Sequence, residues 1–142
     1  MKLSENFDSK EFLCPCGCGR ADMDPRLIVA LTTLRALIGH PVEITTRAGT
    51  SKPVGGFRCP WGNAEVGGAR ASQHLLGRAA DIFVAGMTGM ELYAHARTIP
   101  VFRGFGIGGG WLHVDVRQAP AITRWKYDRE GRQIAWPEGR IA

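Results

Sequence analysis

The chain has 142 residues, enough for one domain whose core needs no cross-links. Its 44% hydrophobic content is ordinary for a globular protein, and no apolar run approaches the ~20 residues of a membrane span. The formal net charge of +5 is scattered apart from a rise at "RWKYDREGR"; it favours an anionic partner, but with no basic helix or nucleic-acid motif, sequence-specific nucleic-acid binding is not expected.

In chain order, "DSKEF" predicts one short helical turn with Asp8 or Ser9 as its N-cap, followed by the cysteine-rich loop "LCPCGCG". "DPRLIVALTTLRALIG" is the clearest helix. Asp24 caps it, Pro25 suits the first turn, Gly39 stops it, and Leu27, Ile28, Leu31, Leu34 and Ile38 fall on one face. "PVEITT" reads as a short strand and "RAGTSKPVGG" as a loop. "CPWGNAEVGG" holds room for one helical turn, and "AADIFV" is a buried strand. "TGMELYAHARTI" is a second helix, capped by Thr88 and ended by Pro100. "GFGIGGG" reads as a glycine-rich turn, "WLHVDV" as an alternating strand, and "TRWKYDREGRQIAW" as a hairpin turning at Asp128 to Gly131. Helices and strands do not alternate regularly, which gives the α+β class.

Four histidines are candidates for chemistry. His40 reads as a loop residue and His95 as a structural helix residue with Glu91 one turn before it. His74 and His113 differ, because each has an aspartate close by, Asp81 and Asp115 respectively. In a strand, His113 and Asp115 share a face with Trp111, while Leu112, Val114 and Val116 point into a core. Polar side chains on a buried strand need a partner, and a metal or a polar cleft supplies one. Gly77 allows a tight turn between His74 and Asp81. His74, Asp81 and His113 together make three protein ligands, the number that leaves zinc an open position for catalysis.

"SQHLLGRAADI" resembles the Ser-x-His-x-x-Gly-x-Ala-x-Asp-Ile signature of the zinc D-Ala-D-Ala carboxypeptidases and related murein endopeptidases, whose fold also occurs in the Hedgehog signalling domain. "FDSKEFLCPCGCG", "GFRCPWGNAEVGG" and "WLHVDVR" follow the order seen in phage and bacterial members, so the resemblance spans almost the whole chain. It implies a Hedgehog/DD-peptidase-like α+β fold, with a small central antiparallel sheet flanked by helices. It implies a single domain over 1–142, with the cysteine-rich segment 1–22 packed on it. The implied activity is that of a zinc peptidase acting on peptidoglycan peptide stems, resembling a phage endolysin. His74 and Asp81 match the first two zinc ligands and His113 the third. Arg58, in "GFRCP", matches an arginine that pairs a substrate carboxylate through its planar fork; the plainer reading is a solvated loop arginine. Ser72 and Gln73 are placed to orient the site or a substrate carbonyl.

Two departures stand out. Many relatives carry a glutamate base a few residues before the last zinc histidine, where this chain has "GIGGGWL". Asp115 is the nearest acid, and it is open as the base, as a support for His113 or as a ligand in a shifted register. "RAGTSKPVGG" is an insertion that either shapes substrate entry or is an inert loop. The cysteines Cys14, Cys16, Cys18 and Cys59 are open between a second, structural zinc, disulfides and free thiols. "MKLSENFDSKEF" has no hydrophobic stretch of the secretory kind. The expectation is a monomer made in the cytoplasm that reaches the wall by holin-type release. The rival is a wall-binding module of the same fold that keeps zinc without turnover.

Overall fold

The structure is a computed structural model and describes residues 1–136; residues 137–142, which the sequence counts in the same domain, lie outside the described residues. Helix α1 (Pro25–Ile38) starts and stops where its caps dictate. The Asp24 carboxylate accepts the Arg26 N–H, and Gly39 closes the helix at φ 77° with its N–H on the Arg35 carbonyl. Leu27, Ile28, Leu31 and Leu34 are buried as the periodicity requires, and Ile38 packs half-buried at the end. At the N-terminus, Asp8 rather than Ser9 caps a 3-10 turn, Ser9–Phe12, with Glu11 completing a capping box. Phe7 and Phe12 enter the main core, so the N-terminal segment is part of the packed body.

Among the described residues six strands form one sheet: β1 (Glu43–Ile44), β2 (Ala79–Phe83), β3 (Gly104–Ile107), β4 (Leu112–Asp115), β5 (Thr123–Tyr127) and β6 (Gln133–Ala135). Their order is β1-β2-β4-β3-β5-β6. Short helix α2 (Pro60–Glu65) follows the arginine loop, and α3 (Gly89–Ala96) is capped by Thr88. Ala80, Ile82, Leu112, Val114 and Phe105 join α1 and α3 in one core. The opposite face of β2 and β4 carries Asp81, His113 and Asp115, as the period of 2 requires. No helix among the described residues is long and apolar enough to cross a membrane.

The α+β class is as read from the sequence, with two differences in detail. The sheet is mixed: β3 and β5 run parallel while the other pairings are antiparallel. After β4 the chain passes the end of β3 and turns back alongside it. Arg103 holds this crossover, donating from Nη2 to the carbonyls of Ala119 at 3.3 Å and Pro120 at 2.8 Å. The second difference is "GFGIGGG": its first four residues are β3, in the middle of the sheet, and only Gly108 to Gly110 make the turn. A Cβ at Gly104 would meet the Asp115 carboxylate, and one at Gly106 would meet the Trp125 indole. These glycines are strand residues because neighbouring side chains lie over them.

Candidate metal centre and its pocket

Backbone pairing builds the centre. Asp81 and His113 are direct cross-strand partners on β2 and β4. His113 is opposite Gly106 on β3, and Gly106 is opposite Trp125 on β5. With no side chain on Gly106, the His113 and Trp125 rings close to 5.1 Å between centroids. His74 arrives from a 3-10 turn, Gln73–Leu76, which ends at Gly77 in the left-handed region at φ 66°. A Cβ at Gly77 would also meet the Asp22 carbonyl.

Hydrogen bonds fix the ring nitrogens. His74 Nδ1 is 2.8 Å from the Gly56 carbonyl, an acceptor only, so Nδ1 carries the proton and donates. Burial lowers the His74 pKa, against the pull of Asp81, and keeps the ring neutral. Its Nε2 therefore presents a lone pair, and it lies 3.3 Å from Asp81 Oδ1. His113 Nε2 donates to Asp115 Oδ2 at 2.8 Å, which turns Nδ1 toward Asp81 Oδ1 at 3.0 Å. Burial opposes protonation of His113, yet Asp115 and Asp81 overcome it and raise its pKa to about 9. Burial likewise opposes ionisation of Asp81, but His74 and His113 hold its carboxyl well below the usual range.

The donors of His74, Asp81 and His113 lie within 4.8 Å of one another. Two nitrogens and an oxygen that all accept, and all face one point, repel one another unless a cation or a proton sits between them. Tetrahedral zinc with ~2.0–2.1 Å bonds separates its ligand atoms by about 3.3 Å, which matches the two distances to Asp81. The residues present therefore fit a zinc ion.

The surrounding groups hold the donors in place. Arg58 is 8% exposed; its Nη2 donates to Asp81 Oδ2 at 3.1 Å and its Nε to the Val54 carbonyl at 3.0 Å. It is not a solvated loop arginine, and the Asp81 contact is one the sequence did not indicate. Asp115 is 0% exposed. The Arg117 guanidinium donates to both its oxygens, at 2.8 and 2.7 Å, the Arg117 backbone N–H donates to Oδ1 at 3.2 Å, and His113 Nε2 donates to Oδ2. Burial pushes the Asp115 pKa up, but Arg117 and His113 hold it well below the carboxylate range. Of the roles open to Asp115, base, support for His113 or ligand, this geometry matches the support and not the base. Asp115 lies behind the His113 ring, away from the pocket, with no free oxygen, and its contacts are those of a group that orients His113.

The centre opens onto a cavity of about 700 Å³. One side is the 66–74 loop with Ser72 and Gln73; the other is the β5–β6 hairpin with Trp125, Tyr127 and Arg132. The Ser72 hydroxyl accepts the His74 N–H at 3.2 Å, so it caps the turn that carries the histidine. Gln73 Oε1 is buried without a partner among the described residues. Residues of the insertion loop do not line the cavity, and His40 and His95 are exposed elsewhere. Arg117 and the aromatic wall were missed in the sequence. Arg117 could have been found by alternation, two residues beyond Asp115; the hairpin that makes the wall was read as a hairpin, but it lies across a crossover, and no local signal placed it beside the donors.

Fold and site together define an α+β protein with a candidate metal centre at the floor of an open cleft. A comparison with protein families matches residues 5–115 to Peptidase M15, a zinc-dependent metallopeptidase family. The match covers most of the chain and includes all three donors, and the chain belongs to this family. No curated protein matches it.

Proposed function

We propose that the chain is a zinc peptidase that hydrolyses an amide bond in the peptide stem of peptidoglycan, of the D-Ala-D-Ala carboxypeptidase or L-Ala-D-Glu endopeptidase type. The observation that carries this reading is the convergence of three accepting atoms at the floor of a cavity large enough for a peptide. His74, Asp81 and His113 would hold the ion. When bound, zinc supplies Lewis-acid polarisation of a carbonyl and lowers the pKa of water. Arg58 fixes Asp81 through Oδ2 and leaves Oδ1 to face the histidines. Asp115, clamped by Arg117, fixes the His113 tautomer, and the Gly56 carbonyl does the same for His74. Trp111, Trp125 and Tyr127 give the substrate an apolar wall, and Arg58, Arg117 and Arg132 make the cleft attractive to a stem carboxylate. Synthesis in the cytoplasm, holin-type release to the wall and action as a monomer complete the proposal.

One observation favours the rival reading, a zinc-containing module that binds wall stems without cutting them. Among the described residues that line the cavity, Asp81 is the sole carboxylate, and His74 and His113 the sole histidines, so no carboxylate or histidine apart from the three donors faces it. Mass analysis of purified peptidoglycan digested with the zinc-loaded protein decides between them. Hydrolysis gives fragments with new amine and carboxyl ends, and their masses name the bond. Retention on the polymer with no new fragments would leave the binding module.

A further inference from the structure

We infer that Cys14, Cys16, Cys18 and Cys59 form a second metal site, a closed tetrathiolate centre that takes zinc and staples the N-terminal segment to the loop carrying Arg58. This site stands independently of the proposed hydrolysis.

Three of the sulfurs form a nearly equilateral triangle. Cys14 Sγ is 3.5 Å from Cys16 Sγ and 3.5 Å from Cys59 Sγ, and the third side is 3.4 Å. Cys18 completes a set whose sulfurs all lie within 4.8 Å. Zinc–sulfur bonds of ~2.3 Å in a tetrahedron put the sulfurs about 3.8 Å apart, so the cluster sits close to the spacing that zinc imposes. A disulfide would use two of the sulfurs and leave the others crowded against it. Four soft ligands without an oxygen donor select zinc over magnesium or calcium, and four protein ligands leave no place for a substrate.

The backbone is built for this convergence. Cysteine and glycine alternate over Cys16, Gly17, Cys18 and Gly19, and both glycines lie in the left-handed region, at φ 84° and 82°. A Cβ at either would meet nothing within 4 Å, so it is the turn itself that calls for glycine there. On the other side, a Cβ at Gly62 would lie 2.5 Å from Cys14 Sγ, so α2 can approach the sulfur only with glycine at that position. The Cys59 N–H donates to Cys14 Sγ at 3.3 Å and the Gly62 N–H to Cys59 Sγ at 3.4 Å. Such N–H donors offset the charge of thiolates around a metal.

The staple has a defined reach. The Phe57 N–H donates to the Phe12 carbonyl at 3.0 Å, so residues 12 and 14 of the N-terminal segment face 57 and 59 of the loop. Phe57 and Cys59 pack with Cys14, while Arg58 between them points the other way, to Asp81.

The test uses the full chain with both His74→Ala and His113→Ala, which silences the other centre. Expected are one bound zinc per chain, four thiols that resist alkylation until a strong chelator is added, and, after exchange to cobalt, a sulfur-to-cobalt charge-transfer band in the near ultraviolet. Adding Cys16→Ser should abolish the band and the bound metal. If that variant does not fold, chelator-dependent thiol protection in the wild-type chain still decides the matter. A double-histidine variant that folds without metal, and whose thiols react at the same rate with and without chelator, would overturn the proposal. Failure of the peptidase reading would instead leave this metal in place on a protein without turnover.

Discussion

Asp115→Asn keeps the shape of a side chain whose neighbours are all donors. Arg117 donates to both carboxylate oxygens and His113 Nε2 to one of them, so the new amide NH2 must face at least one N–H. In the Oδ2 position the NH2 removes the bond that fixes the His113 tautomer, and in the Oδ1 position it breaks the Arg117 clamp that holds the side chain against His113. Zinc affinity should fall about tenfold to hundredfold, the cost typical for losing such a support, as read by competition with a chelator. Unchanged affinity with collapsed turnover would return Asp115 to the role of proton acceptor. His113 itself makes a pH prediction. Its pKa in the folded, metal-free chain is raised from 6.5 to about 9. This contribution to stability is fully present below pH 6.5 and is lost as pH rises through about 9. Zinc needs the lone pair that the proton occupies, so apparent affinity should rise about tenfold per pH unit across that window. Calorimetry in buffers of different ionisation enthalpy should show proton release on zinc uptake at pH 7. No release at all would remove His113 from the ligand set.

Strand β3 is the element on which the site's shape depends. Gly104→Ala places a methyl group against the Asp115 carboxylate, and Gly106→Ala places one against the Trp125 indole. Each should destabilise the fold by about 1–3 kcal/mol, as overpacking does, and Gly104→Ala should also weaken zinc binding through Asp115. Gly110→Ala, in the turn, meets nothing within 4 Å and is the control expected to melt like the parent. The same contrast explains what could be read from the sequence. Helix α1 was legible because its caps and its apolar face are local signals. The face of β4 was legible because alternation is local too, and Leu112 and Val114 are buried opposite His113 and Asp115. β3 was not, since glycine is a poor strand former in isolation, and what makes it one here is the side chains of Asp115 and Trp125 on the strands either side.

At the scale of the whole molecule, the three donors were legible because a short signature and one strand contain them. The mixed order of the sheet was not, because the β3–β5 pairing depends on a crossover pinned by Arg103. The hairpin from Thr123 was legible as a hairpin, but its place as the far wall of the cleft was not, since it lies beyond the stretch that matches the family. That wall differs from the floor in burial. Every residue of β3 and β4 is buried, while β6 is exposed throughout and β5 is at most half-buried. Segments with few buried contacts open at lower free energy than the core. Hydrogen exchange should therefore reach the amides of residues 124–135 well before those of 80–82 and 112–115. Equal protection in the two sets would show a ribbon as firm as the floor. On the proposed reading the substrate is a peptide stem tethered to a polymer, and a tethered chain is more easily laid in from the side than threaded into a slot. With one side of the cleft made from an edge ribbon, that sideways approach is the one with least packed structure in its way, while the donors beneath keep their places.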